Sequence, residues 1–277
     1  MTEQNCLNLC EILPYLKKKR QNLKKIIMDA CELAQYDSLE RIYMGSSFCG
    51  KYFLEQSNQF IKEIKTCAEE IQVPITLVIP TFSQSDLEHG KKKISDILEL
   101  CQDYVDELTV NDYGMLPYLK KEYQKPLNIG RLFMKDYRDP RYQEYFKMPW
   151  KPRIFTDYFK QILIQYEIKS CEFDLTHEIN DFSQLPPEIT LGIHVPFCYQ
   201  TVGRICEYAS ISKEISKKYR ANAPCEQNCT ESLVKYAVSD GDMEYVRFGR
   251  TVYFRHPGYK IKGVEQYRLI YFPLDLQ

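Results

Sequence analysis

The 277-residue sequence has no apolar run of the roughly 18 residues that a membrane-spanning helix needs. Its first residues also lack the charged-then-apolar pattern of a secretory signal. These two absences predict a cytoplasmic protein with no membrane partner. There is no excess of either charge, because 37 Lys and Arg residues balance 38 Asp and Glu residues to a net charge of -1. General attraction to nucleic acid is therefore not expected, although a nucleic acid such as RNA stays open as a partner.

The motifs of several common enzyme classes are also missing. No predicted strand is followed by a G-x-G-x-x-G or Walker A loop, which argues against the nucleotide-binding versions of an α/β fold. Neither H-E-x-x-H nor G-x-S-x-G occurs, so the usual signatures of metallopeptidases and serine hydrolases are absent. With 44% hydrophobic and 27% charged residues, the composition nevertheless predicts a well-buried globular protein.

Cysteine, in contrast, is abundant, with 11 in the chain. Disulfides are disfavoured in the cytosol, so clustered cysteines there indicate metal ligands or redox groups. Six of the cysteines are scattered through amphipathic or apolar segments, where a free cysteine behaves as a small core hydrophobe. We expect these six to be structural: Cys6, Cys10, Cys31, Cys67, Cys101 and Cys171.

A late group of three cysteines carries the strongest functional signal. Cys206 precedes a C-x3-C pair formed by Cys225 and Cys229. Thiolates gathered in this way favour zinc or an iron–sulfur cluster. A fourth ligand could come from Cys49, after the first predicted strand, or from Cys198, after the sixth. Both stay open, because strand ends that are far apart in sequence lie close together in a closed barrel.

Predicted strands alternate with predicted helices along most of the chain. The strands are predicted at 39–45, 74–80, 106–112, 127–133, 170–175 and 189–196, and the helices at 5–36, 56–71, 85–104, 115–123 and 153–167. This alternation indicates βα units around a parallel sheet. The predicted fold class is α/β and TIM-barrel-like, with an incomplete or distorted barrel. A doubly wound open sheet is the alternative.

The chain divides into three predicted parts. Residues 1–38 form an N-terminal helical segment, and residues 39–200 form the barrel domain. Residues 201–277 hold the cysteine cluster and a C-terminal hairpin. Residues 245–259 and 264–273 alternate polar with aromatic and β-branched residues, so we expect both in an antiparallel hairpin appended to the barrel.

Polar residues at strand ends are the candidate catalytic groups, because chemistry in such barrels takes place at the carboxyl ends of the strands. Asn111 and Asp112 end the third predicted strand, where they would equally serve a turn and a helix cap. His177 and His194 lie at the ends of later predicted strands and suit either acid–base work or a structural hydrogen bond.

A basic loop follows the fourth predicted strand. It begins at Arg131, and its cations are Arg131, Lys135, Arg138 and Arg141. Arginine side chains bind carboxylate or phosphate with two parallel hydrogen bonds. The loop therefore predicts either an anion pocket, with Arg131 as a candidate catalytic residue and a small acidic organic substrate, or a solvated charged loop.

Five segments in this order carry a resemblance to a known family: GSSFC, TVNDYGML, NIGRLFMKDYRDPR, HVPFCYQTVGRIC and NAPCEQNC. Over residues 39–255 they resemble the U32 peptidase family, in particular an uncharacterised branch from anaerobic bacteria. The resemblance implies a TIM-barrel-like domain and a [4Fe–4S] cluster. Its implied ligands are Cys49, Cys206, Cys225 and Cys229, with Cys198 as the alternative to Cys49.

The resemblance also implies the possible functions. Members of the family that are similar to this chain take part in oxygen-independent hydroxylation of a ubiquinone precursor or of RNA bases, and others are named as peptidases or collagenases. The first expectation is therefore an iron–sulfur enzyme, or a subunit of one, in an anaerobic hydroxylation-type modification. The alternatives are a peptidase-like hydrolase and a non-catalytic accessory protein with a structural cluster, bound to a second U32 subunit.

Overall fold

The protein is described from a computed structural model, which covers residues 2–20, 22–101, 103–134, 149–176, 179–236, 244–256, 258 and 260–276. Of the residues singled out in the sequence, Lys135, Arg138, Arg141 and His177 lie outside these ranges.

The described residues form strands and helices in mixed order. The strands are β1 Thr2–Asn8, β2 Arg41–Gly45, β3 Ile75–Ile79, β4 Val105–Val110, β5 Leu127–Ile129, β6 Ser170–Asp174, β7 Asn180–Asp181, β8 Thr190–Val195, β9 Phe197–Val202, β10 Val234–Tyr236, β11 Tyr245–Phe248, β12 Thr251–Arg255, β13 Ile261–Lys262 and β14 Gln266–Tyr271. The α-helices are α1 Leu13–Arg20, α2 Leu23–Ala34, α3 Gly50–Glu55, α4 Asn58–Ile71, α5 Leu87–Cys101, α6 Met115–Glu122 and α7 Asp157–Gln165.

Eight parallel strands close into a barrel in the order β1-β14-β8-β6-β5-β4-β3-β2. The α/β, TIM-barrel-like prediction is therefore confirmed. The ring of strands is closed, so the expectation that the barrel is incomplete was wrong. The barrel takes β1 from the predicted helical segment 1–38 and β14 from the predicted cysteine-rich region 201–277, so its strands extend beyond residues 39–200 at both ends.

The prediction of a helix from residue 5 was wrong for β1. Cys6, Leu9 and Cys10 follow one another at helical spacing, which explains the error. In the structure β1 lies between β14 and β2. Cys6 faces the inner core of the barrel, while Leu7 packs in the outer core against the helices. Neighbouring residues thus face opposite sides, as the period of two of a strand requires.

The prediction for β14 was right about its conformation and wrong about its partner. Within the first expected strand, residues 245–259, β11 and β12 form an antiparallel hairpin of their own. However, β14 pairs in parallel with β1 and β8 and closes the barrel. Its odd-numbered residues, such as Leu269, pack in the outer core, and Ile270 lies in the inner one. Alternation shows that the two faces of a strand differ, but it does not identify the neighbouring strand.

A buried ion pair spans the interior of the barrel. Arg268 of β14 donates to both carboxylate oxygens of Glu107 on β4, at 2.6 and 3.1 Å. Glu107 also accepts from the hydroxyl of Thr76 at 2.6 Å. Burial alone would lower the pKa of Arg268, but Tyr43 and Glu107 raise it above its ordinary value. Arg268 therefore stays charged and joins strands on opposite sides of the barrel.

A second sheet covers part of the carboxyl end of the barrel. Its order is β10-β11-β12-β9, and β9 follows directly from barrel strand β8. Aromatic rings fill the contact: Phe48 lies 5.1 Å from Tyr199 and 6.0 Å from Tyr253, and Tyr253 lies 5.1 Å from Phe272, between ring centroids. This sheet leads the chain from the barrel to the late cysteines. Among the described residues, none of the helices combines the length and the apolar character needed to cross a bilayer.

Candidate functional site

Cys49 lies in a tight loop at the carboxyl end of β2. The loop begins at Gly45, whose φ of +110° is a conformation that residues with a side chain rarely adopt. The N–H of Ser46 then donates to the carbonyl of Val78 at 3.0 Å, and the N–H of Cys49 donates to the hydroxyl of Ser46 at 2.9 Å. Cys49 caps the start of α3, where its Sγ accepts a 3.5 Å hydrogen bond from the N–H of Tyr52. The fold thus fixes the position of Cys49 through its backbone.

Glu11 accepts hydrogen bonds from this loop and was not among the residues that the sequence singled out. It follows β1 and is 8% exposed. Its Oε1 accepts from the hydroxyl of Ser46 at 2.5 Å and from the N–H of Phe48 at 2.8 Å. Burial raises the pKa of the Glu11 carboxyl, although these hydrogen bonds oppose the shift. A positive φ of 52° at a non-glycine residue, visible only in the structure, directs the chain into this contact.

The three late cysteines belong to a segment that is tied to the second sheet and to α3. The hydroxyl of Tyr208 donates to the carbonyls of Ser232 and Arg247, at 3.1 and 3.2 Å. The side chain of Asn228 donates to the carbonyl of Tyr208 at 3.2 Å. Gln227 donates to the carbonyl of Glu55, the last residue of α3, at 3.3 Å. This last bond brings the C-x3-C pair to the helix that Cys49 caps.

The four thiols are neighbours in the fold. Burial raises the pKa of Cys229, and the nearby thiols of Cys49, Cys225 and Cys206 raise it further. Burial raises the pKa of Cys49 to about 11, against the effects of the Tyr52 N–H and of the positive charge on Arg250. In the described part of the chain, however, no three or more His, Cys, Asp or Glu side chains converge tightly enough to form a ready metal-binding group. The thiols therefore interact electrostatically without meeting at one point.

Cys198 lies elsewhere. It is fully buried on β9, and its thiol donates to the carbonyl of His194 at 3.4 Å. It lies close enough to Arg131 to contribute to the raised pKa of that guanidinium. The effects of other thiols on Cys229 come from Cys49, Cys225 and Cys206. Of the two sequence candidates for a fourth ligand, the structure places Cys49 beside the late group and Cys198 beside Arg131.

Arg131 is a buried residue with a carboxylate partner. It is 1% exposed, and its Nε donates to Oδ2 of Asp174 at 2.7 Å while its Nη2 donates to Oδ1. Burial alone would lower the pKa of Arg131, but Asp174 raises it. The guanidinium lies 5.0 Å from the ring centroid of Phe48 and 5.6 Å from that of Tyr199. Its charge is thus balanced inside the protein.

Asn111 and Asp112 both make local structural contacts. Asn111 is buried; its amide donates to the carbonyl of Ile79 at 3.3 Å and accepts from the N–H of Leu132 at 3.1 Å. A Cβ on Gly130 would lie 2.4 Å from Oδ1 of Asn111, so the glycine makes room for the amide. Asp112 accepts from the N–H of Gly114 at 2.7 Å, as in a turn that starts a helix. The structure thus gives both residues the turn and loop contacts that their sequence positions also suggested.

His194 lies inside the barrel with an acidic partner. Its Nε2 is 2.9 Å from Oε2 of Glu172, whose Oε1 accepts from the hydroxyl of Thr109 at 2.6 Å. Burial lowers the pKa of His194 well below its usual range and raises that of Glu172 to about 7. Both side chains are 1% exposed, so this pair is part of the barrel interior.

We expect Glu11→Ala to loosen the Cys49 loop. The change leaves the Phe48 N–H as a buried donor without an acceptor, which costs about 1–3 kcal/mol of unfolding free energy. The Ser46 hydroxyl keeps only the carbonyl of Cys49, at 3.1 Å, as an acceptor. Glu11→Gln is the matched control, because its amide oxygen still accepts a hydrogen bond. Urea unfolding and the alkylation rate of Cys49 in the metal-free protein measure the two effects. Equal alkylation rates in wild type and both variants would show that Glu11 does not position the loop.

Arg250 is a second residue that the sequence reading missed. Its Nε donates to the carbonyl of Gly203 at 2.7 Å, which ties the hairpin to the chain just before Cys206. Its charge lowers the pKa of Cys49. The predicted alternating segment 245–259 included Arg250 and gave no sign of this contact.

Comparisons with protein-family models, curated proteins and solved structures found no match to this chain.

Proposed function

We propose that Cys49, Cys206, Cys225 and Cys229 hold an iron–sulfur cluster of the [4Fe–4S] type. On this proposal the protein is an iron–sulfur enzyme, or a subunit of one, in an oxygen-independent modification reaction. The single observation that carries it is the position of Cys49, which lies beside Cys229 although 179 positions separate them. A cysteine that only fills space in the core would not need other cysteines as neighbours.

The donor set suits a cluster better than a single zinc ion. In a zinc site all four sulfurs lie about 2.3 Å from one ion and therefore crowd together. In a cubane cluster each cysteine binds a different iron, so the four sulfurs stay farther apart. Thiols that interact but do not converge on one point agree with the second arrangement. When bound, such a cluster would supply one-electron chemistry.

The surrounding residues would fix the positions of the cluster ligands and the charge near them. Glu11 and the Ser46 loop hold Cys49 in place, and a hydrogen bond from Tyr208 to β11 ties the segment of the late cysteines to the second sheet. Arg250 is the cation whose charge reaches Cys49. A small acidic organic substrate remains the proposed ligand class, and Arg250 replaces Arg131 as the cation that would meet it, because Arg131 is already paired with Asp174.

Anaerobic purification followed by iron and sulfide analysis and a visible spectrum tests the proposal. We expect a brown protein with about four irons per chain, the content of one [4Fe–4S] cluster. Cys49→Ala should lose the colour and most of the iron, because one of four ligands is missing. Cys198→Ala is the matched control and should keep both.

Two outcomes would contradict the proposal. A colourless protein that contains zinc or no metal removes the redox function. A brown protein that is bleached by Cys198→Ala and not by Cys49→Ala keeps the cluster but overturns the ligand set. Circular dichroism of both variants separates loss of iron from loss of the fold.

A further inference from the structure

The chain between the candidate ligands Cys206 and Cys225 exposes several large apolar side chains. Ile215 is 89% exposed, Ile211 65% and Tyr219 60%. Ile205, just before Cys206, is 41% exposed. A single exposed isoleucine needs no explanation, but four such residues within 15 positions mark a surface for another molecule.

The same segment is basic. Residues 204–220, here named the docking segment, contain five basic residues and two acidic ones, which leaves a charge of +3. The basic residues are Arg204, Lys213, Lys217, Lys218 and Arg220. The whole chain has a net charge of -1, so this positive charge is a local feature. It complements an acidic partner and would speed its encounter with the protein.

The docking segment is fixed to the body of the protein. Tyr208 is buried and anchors it through hydrogen bonds to the carbonyl of Arg247 in β11 and to that of Ser232, which precedes β10. The N–H of Tyr219 donates to the hydroxyl of Ser210 at 2.9 Å, and Tyr219 has a φ of 55°. A bulky residue rarely adopts this conformation, because its side chain then crowds the neighbouring backbone. An exposed tyrosine is thus held in an unfavourable backbone conformation within a segment that has fixed ends.

We propose that residues 204–220 form the docking face for an acidic electron-carrier protein. This proposal rests on the proposed function, because Cys206 and Cys225 would bind the cluster at the two ends of the segment. A partner on this face would therefore lie against the cluster. An apolar centre with a charged rim is the usual anatomy of a protein–protein interface, and electron-transfer interfaces are small. Isoleucine does not stack on bases, so the exposed aliphatic side chains favour a protein over RNA.

The test measures binding of a purified flavodoxin, a small acidic protein that carries electrons on FMN, to the anaerobically purified, iron-loaded protein. Calorimetry at low ionic strength gives the Kd. We expect the double variant Lys217→Glu/Lys218→Glu to weaken binding by at least about tenfold, and high salt to weaken wild-type binding. Ile215→Ser should also weaken binding about tenfold, as expected for a residue at the centre of an interface.

Two variants on distant helices serve as controls. Ile164→Ser replaces an isoleucine that is 72% exposed on α7, and Lys121→Glu replaces a lysine on α6 whose side chain is 82% exposed. Both should bind flavodoxin like the wild type. An unchanged Kd in the Lys217/Lys218 variant, or equal weakening by the controls, overturns the docking proposal. So does the absence of flavodoxin binding to brown wild-type protein.

Single-stranded RNA is titrated in parallel. Tighter binding of RNA than of flavodoxin, lost on reversing Lys217 and Lys218, would also overturn the proposal and identify the segment as a nucleic-acid surface. Failure of the proposed function is seen earlier and separately. It appears as a purified protein without iron or visible absorbance, and it removes both proposals before any binding is measured.

Discussion

Asp174→Ala is expected to lower the free energy of unfolding by about 3–5 kcal/mol, because it leaves the charge of Arg131 buried without a partner. Arg131 is 1% exposed and Asp174 0%, so water does not replace the lost carboxylate. Asp174 also accepts from the N–H of Tyr199 at 2.7 Å, and this donor would be orphaned as well. Urea unfolding monitored by circular dichroism measures the loss.

Glu69→Ala is the control for this change. Glu69 pairs with Lys65 at 3.3 Å on the surface of α4, and we expect its removal to leave the free energy of unfolding close to the wild-type value, because water screens such pairs. The double variant Arg131→Met/Asp174→Leu should recover part of the loss, since apolar residues of similar size often replace a buried ion pair without penalty. If Asp174→Ala were no more harmful than Glu69→Ala, the pair would not stabilise the barrel.

Gly45→Ala is expected to have the second-largest effect, a loss of about 3 kcal/mol. Its φ of +110° strains any residue with a side chain, and a Cβ would lie 2.3 Å from the carbonyl oxygen of Val78. That oxygen belongs to the backbone of β3 and accepts from the N–H of Ser46 at 3.0 Å, so it cannot move aside cheaply. Thermal unfolding gives the loss in stability.

The same substitution is expected to displace the loop that carries Cys49, so iron content is a second readout. Gly203→Ala is the matched control. A Cβ there would approach its nearest neighbour, the carbonyl oxygen of Ile205, only to 3.4 Å, an ordinary contact. We expect its stability to stay within about 0.5 kcal/mol of the wild type. Equal stability of the two glycine variants would contradict the strain argued for Gly45.

Much of the barrel could be predicted because its strands carry the signal within themselves. Ile75–Ile79 is a continuous apolar run between prolines, and in the structure all five of its residues are buried. The helices between the strands show apolar residues at helical spacing, as in Asn58–Ile71. Local periodicity depends only on neighbours in the chain, so the sequence alone indicates these elements.

The two strands that close the ring could not be assigned in this way. In β1 one interior position is Cys6, and its spacing to Leu9 and Cys10 also fits a helix. In β14 one interior position, beside Ile270, is Arg268, a residue that normally indicates solvent. Its partner, Glu107, lies 161 positions earlier in the chain. A buried charge is tolerable only when its counter-charge is in place, and that depends on closure of the barrel.

The candidate site shows the same difference between features that the sequence indicates and features that depend on the fold. The sequence by itself determined the alternating α/β architecture and showed that the cysteines near the C-terminus form a group. Only the tertiary structure decided that Cys49 lies beside them, that Cys198 faces Arg131, and that Glu11 holds the Cys49 loop. It also showed that Arg131 is paired with Asp174, whereas the sequence left Arg131 as a candidate for binding an anionic ligand. The physical reason is that periodicity and spacing are local properties, whereas contacts between strand ends exist only after eight strands have closed into a ring.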